Sequence, residues 1–180
     1  MVKLAERLLR RNPSQVTILS PLVTYLFTFV AGTGHVAYSV LPVIAEVATE
    51  TKIRPERPLG IAVIASQQAI TASPISAATV ALLGLLTGFD ITLFDILKIT
   101  IPATLIGVLV GAFLSKKVGK ELLEDPEYLR RLEAGMIDTK HVELNDVKNM
   151  FHARISVIIF IAATLLIAVS YTHLRAHETV

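Results

Sequence analysis

An all-α membrane protein is the fold class the sequence predicts, and three observations carry it. Of the 180 residues, 53% are hydrophobic and only 18% charged, against about a quarter charged in an ordinary soluble domain. The charges are segregated: no Asp, Glu, Lys or Arg occurs over 12–45, 59–89, 99–115 or 155–172. A bilayer core takes about 20 apolar residues as helix, and these runs have that scale. Finally, the 17 Lys and Arg residues collect between the runs rather than inside them.

Composition also excludes several classes. With no Cys there is neither a disulfide framework nor a thiolate metal site. A net charge of +2 is too small to point to nucleic acid. His141 and His152 lie in a polar stretch without metal-ligand spacing, and no cofactor is expected. The basic segment 1–11 lacks a small-residue cleavage pattern, so it is not read as a signal peptide.

Sidedness follows from the basic residues. Lys3, Arg7, Arg10 and Arg11 precede the first run, Lys52, Arg54 and Arg57 follow it, and eight more occupy 116–154. The positive-inside rule puts 1–15, 50–58 and 116–153 in the cytoplasm. Residues 86–92, "LTGFDIT", carry no Lys or Arg and belong outside. The chain must therefore enter near Val16 and return to the same side by Glu50. Segment 16–49 is a helical hairpin with "AGTGH" at its tip, each arm about 16 residues or roughly 24 Å. That is short of the roughly 30 Å hydrocarbon core, which predicts a re-entrant hairpin. Non-helical backbone at such depth is tolerated only against protein or water.

The next segment, 59–86, would be about 42 Å long as unbroken helix. Its middle, "QQAITASPIS" at 67–76, holds Gln67, Gln68, Thr71, Ser73, Pro74 and Ser76. Pro74 removes a donor and disfavours helical geometry at Ser73. A lone Pro kink or back-bonded Ser would be ordinary in a membrane helix. Six such residues in ten predict a discontinuous helix, with Ser73 capping the second half and Pro74 in its first turn. A spanning helix follows over 93–115. Asp95 and Lys98 are read as an interfacial pair at its outer end, and Glu46 as snorkelling from the hairpin's cytoplasmic mouth. Residues 119–141 read as a short amphipathic cytoplasmic helix broken at Pro126.

Broken helices at mid-membrane are how many secondary transporters build a site: half-helix N-termini suit carboxylates without a buried Arg or Lys. "GTGH" and "SPISAATV" both open half-helices. His35 is the one ionisable side chain at a break, a substrate- or proton-bonding group or a neutral His bonded to backbone. An enzyme is not expected, because no Gly-x-Ser-x-Gly elbow is present and no acidic partner lies near Thr33 or Ser73. "GTG" lacks the third glycine and preceding strand of a dinucleotide site.

"AERLLRRNP", "GTGHVAYSVLPVIAEVA", "RPERPLGIAV", "ITASPISAATV" and "ITIPATLIGVL" together resemble the anaerobic C4-dicarboxylate transporters of the DcuA/DcuB family, on the DcuB-like side. The resemblance covers 4–169. It implies one half of an inverted-repeat ion-transporter fold that exchanges fumarate, malate or aspartate for succinate across the bacterial inner membrane, in support of anaerobic fumarate respiration. By the same resemblance Gly32, Thr33, Gly34 and His35 form the hairpin tip. Thr71, Ala72, Ser73, Pro74 and Ser76 form the break, preceded by Gln67 and Gln68. All eleven are expected to contact substrate.

Family members are more than twice as long, so the chain reads as a fragment. Residues 1–115 are a partial first repeat, 116–153 a polar cytoplasmic linker, 154–169 the start of a further transmembrane helix. The tail 170–180, within "SYTHLRAHETV", reads as non-native. The expected partners are C4-dicarboxylates, the lipid bilayer and a second repeat of the same protein; a homodimer is compatible with the reading. The competing reading is a membrane scaffold or assembly subunit whose small residues only let helices pack closely.

Overall fold

The computed structural model describes residues 2–137, together with the helical Ile155 and Ile159. The expected helix over 154–169 is otherwise outside the described residues, as is the tail 170–180. Among the described residues every regular element is helical: α1 (Val2–Arg11), α2 (Val16–Ala31), α3 (His35–Glu50), α4 (Glu56–Ala72), α5 (Ala77–Leu85), α6 (Leu93–Ser115) and α7 (Pro126–Glu133), with single 3-10 turns at Pro13–Gln15 and Leu122–Glu124. Among the described residues three segments are long and apolar enough to cross a membrane: Pro13–Ala31, the interrupted Glu56–Leu85, and Leu93–Ser115.

The two hairpin arms α2 and α3 are 16 residues each. α4 then runs parallel to α2 at a fixed offset. The Ser20 hydroxyl donates to the Pro58 carbonyl at 3.1 Å, and the Thr24 hydroxyl to the Ala62 carbonyl at 3.0 Å, both 38 residues on. Such close approach needs small residues, and α4 presents Ala62, Ala65, Ala69 and Ala72, all fully buried. This is the small-residue mode of membrane helix packing.

α6 runs antiparallel to α4. Val108 joins Ala65, Ala69 and Ala72 in one buried cluster, and Gly111 faces Ile61 so closely that an added Cβ would come within 2.7 Å of the Ile61 Cδ1. The Tyr25 hydroxyl and Thr104 Oγ1, 2.8 Å apart, tie α2 to the same helix. α6 opens on a capping box: Thr92 accepts from the Asp95 N–H and Asp95 accepts from the Thr92 N–H. Asp95 thus serves chiefly as a cap, with Lys98 4.0 Å away.

The described parts of the basic segments, up to residue 137, gather at one end of this unit. α1 lays Ala5 and Leu9, both fully buried, against the core cluster that includes Val40, Ile44 and Val47 of α3. Burying Leu9 alone contributes about 2 kcal/mol. Arg10 reaches Glu46 at 2.8 Å and Glu50 at 2.7 Å, so Glu46 is paired where the sequence suggests it snorkels. Arg57, only 7% exposed, donates to the carbonyls of Val118 at 2.7 Å and Gly119 at 2.9 Å and to Glu121 at 2.7 Å. Beside it Arg54 meets Asp125 at 2.8 Å. That pairing and the hydrogen bonds around it hold the Asp125 carboxyl below the usual carboxylate range. Pro126 opens α7 at its first position instead of breaking a longer helix, as Pro is suited to do.

Candidate functional site: two helix breaks in contact

The hairpin turns through Gly32–Thr33–Gly34. Gly32 closes α2 in the left-handed region, φ +69°, and its N–H donates to the Thr28 carbonyl at 2.8 Å. This is the glycine helix stop, which a Cβ would strain. α3 restarts at His35, with Gly34 as its N-cap residue. The turn and its flanking residues 16–45 carry no Asp, Glu, Lys or Arg.

α4 stops at Ala72. Ser73 takes an extended conformation, φ −78° and ψ 128°, as a residue before Pro does. The link Ser73–Ser76 then leads to α5. The cap of α5 is Ser76, not Ser73 as the sequence suggests: its hydroxyl oxygen accepts from the Thr79 N–H at 3.1 Å. Pro74 accordingly lies in the link and not in the helix's first turn. Thr79 reaches back across the gap, its hydroxyl donating to the Thr71 carbonyl at 3.3 Å.

The fully buried Ser73 has a different task. Its hydroxyl donates to the Phe29 carbonyl at 2.7 Å, 44 residues earlier, near the C-terminal end of α2. A helix leaves its last carbonyls without intrahelical partners, and Ser73 supplies one. The two breaks therefore touch. A Cβ on Gly32 would come within 2.8 Å of Ile75 Cγ1 and 3.2 Å of the Ile75 backbone. One on Gly34 would come within 3.1 Å of Gln67 Nε2 and 3.2 Å of Ile70 Cδ1.

The structure thus brings Gly32, Gly34, Gln67 and Ser73 into one neighbourhood. Ala72, Ser73 and Ser76 are buried, whereas His35, Gln67, Gln68 and Thr71 are exposed and Thr33 and Pro74 half-buried. Thr71 spends its hydroxyl on the Gln68 carbonyl at 2.7 Å. His35 turns towards Tyr38, ring centroids 6.1 Å apart. Phe29, Ile70, Ile75 and Thr79 complete the junction, and no polar or helix-breaking signal marks the first three in sequence. Thr28 lies one turn before Gly32, its hydroxyl buried without a hydrogen-bond partner among the described residues. Among the described residues no three of His, Asp and Glu gather as a metal site.

Residues 1–179 match the family model described as "Anaerobic c4-dicarboxylate membrane transporter". The chain belongs to the DcuA/DcuB family. It is 45% identical over 165 residues to the C4-dicarboxylate transporter DcuA of Wolinella succinogenes, covering 92% of this chain and 38% of that protein. It is 45% identical over 150 residues to DcuA of Escherichia coli K12, covering 83% and 35%. The anaerobic C4-dicarboxylate transporter DcuB of Escherichia coli O6:H1 is 46% identical over 133 residues, covering 71% and 30%. The chain therefore spans under two fifths of the length of these relatives. No solved structure matches it. DcuA/DcuB proteins are membrane transporters, not enzymes, which fits the three apolar spans and the uncharged junction between the two breaks.

Proposed function

We propose that residues 1–115 belong to the first repeat of a secondary transporter that exchanges fumarate, malate or aspartate for succinate across the bacterial inner membrane. The observation that carries the proposal is the contact between two uncharged helix breaks, made by Ser73 on Phe29, Gly32 on Ile75 and Gly34 beside Gln67. Each break opens a new helix, α3 or α5, whose first N–H groups have no intrahelical acceptor and carry the positive end of the dipole. Two such openings suit a ligand with two carboxylates. The exposed amides of Gln67 and Gln68 and the half-buried Thr33 add neutral donors. With no Lys or Arg at the junction among the described residues, binding stays weak enough to reverse, which exchange requires.

The hairpin is re-entrant in this reading. With Gly111 against Ile61 in antiparallel register, Ile101 of α6 falls level with the end of α4, so residues 93–100 carry α6 about 12 Å further. The tip, level with the break through its contact with Ile75, would end inside the membrane. A second, inverted repeat closes the site from the other side.

The test is counterflow of labelled succinate by the full-length protein in liposomes, with Gln67→Leu and Thr33→Val. Both positions lie at the surface of the junction, so insertion and melting should stay as in the parent. Exchange should fall at least tenfold, about 1.4 kcal/mol. Unchanged exchange in both variants would overturn the site. Absence of succinate counterflow in the unmutated protein would overturn the substrate class.

A further inference from the structure

Helix α1 has an outer face that the site does not use. α1 divides into three stripes. Ala5 and Leu9 are buried against α3, while Leu4 and Leu8 on the next stripe are 51% and 40% exposed. Beyond them, at four-residue spacing, stand Lys3, Arg7 and Arg11, all exposed. Glu6, the single acid of the helix, lies on the far side and is held by Arg10 at 3.1 Å. Arg10 itself is committed to Glu46 and Glu50.

Position fixes what this face meets. One 3-10 turn, Pro13–Gln15, separates α1 from α2, and the candidate span begins at Pro13 itself. Leu9 and Arg10 pin α1 to the foot of α3. A helix tied there cannot leave the water–lipid boundary. We propose that α1 is an interfacial anchor that binds anionic phospholipid, with Leu4 and Leu8 in the upper acyl region and Arg7 and Arg11 on lipid phosphates. Apolar and basic stripes side by side are what such a helix needs, and Arg suits phosphate because its fork bonds two oxygens at once. Clamping by Arg10 sets the helix's rotation, so that the leucine flank and not the basic stripe turns to the acyl chains. The proposal depends on the membrane setting and not on which solute the protein carries.

The experiment places a bimane on Leu4→Cys in the full-length protein, reconstituted in vesicles of phosphatidylcholine mixed with phosphatidylglycerol. Brominated acyl chains on one lipid at a time act as the quencher. Brominated phosphatidylglycerol should quench more than the same fraction of brominated phosphatidylcholine. That preference should fall about fivefold for each of Arg7→Gln and Arg11→Gln. Both arginines are exposed, so folding should be untouched. Raising the salt should erase the same preference without any substitution. Equal quenching by the two lipids overturns the proposal by showing lipid contact without charge selection. No quenching by either overturns it as well, and shows water or another protein against the leucines.

Discussion

Gly32→Ala should cost about 2–3 kcal/mol, and Gly34→Ala, two residues away, less than about 1 kcal/mol. The difference comes first from backbone conformation and second from what each Cβ would meet. Gly32 sits at φ +69°, where an L-residue pays about 1–2 kcal/mol. Its added Cβ would also meet the Ile75 carbonyl carbon and oxygen at 3.2 Å and Cγ1 at 2.8 Å. A rotamer change at Ile75 can move Cγ1 but not the carbonyl. The break must therefore retreat by a few tenths of an ångström, which lengthens the 2.7 Å bond from Ser73 to Phe29. Weakening that bond adds about 1 kcal/mol. Gly34, at φ −68°, is already in helical geometry. Its Cβ would meet only the far ends of Gln67 and Ile70, at 3.1 and 3.2 Å, and both side chains can swing aside. The assay is thermal melting of the full-length protein in detergent, alanine variants beside the parent. A Gly34 variant that melts as low as the Gly32 variant, or a Gly32 variant as stable as the parent, refutes the argument from the tip geometry.

Ser73→Ala strips the Phe29 carbonyl of its buried donor and should cost about 1–3 kcal/mol, read as a lower melting temperature with α4 and α5 still helical by circular dichroism. Arg57→Ala should leave the carbonyls of Val118 and Gly119 and the carboxylate of Glu121 without their shared partner, so limited proteolysis should cut 116–125 sooner. Arg57→Lys should rescue it only in part, because an ammonium lacks the guanidinium fork. The Asp125 carboxyl is held below its ordinary 3.8, first by Arg54. Stability from a depressed carboxylate is present above the unfolded value and lost as pH falls through the folded one. Opening of the Arg54–Asp125 contact should therefore begin only below pH 3.8, as seen by the same proteolysis, and Asp125→Asn should abolish that acid step.

How much of this was legible beforehand depended on the kind of signal. Charge-free runs set the hairpin and the 93–115 helix, and α6 has those bounds because Thr92 and Asp95 cap it where the charge returns. Glycines and Pro74 marked both breaks, since each disrupts helix by local chemistry that needs no tertiary context. Local chemistry could not say which serine beside Pro74 caps α5. Ser73 and Ser76 are equivalent in propensity, and what separates them is Phe29, whose unpaired carbonyl claims Ser73. The same holds for the parallel packing of α2 on α4. Ser20 and Thr24 look like ordinary back-bonding hydroxyls until Pro58 and Ala62 lie beside them. Arg57 read as one more topogenic charge, and its three acceptors lie more than sixty residues away in sequence.

The constant offset of 38 residues between α2 and α4 has a temporal side. Ribosomes add about 5–20 residues each second, so the Ser20 and Thr24 hydroxyls enter the insertion machinery some two to eight seconds before their α4 acceptors exist. The last tie, Ser73 to Phe29, waits longer still. During biogenesis the first hairpin must therefore be held, by the translocon or by its own back-bonded hydroxyls, as a guest without a seat. Ribosome-stalled chains that end shortly before α4 should leave it unanchored, and those that extend past Pro74 should lock it in place.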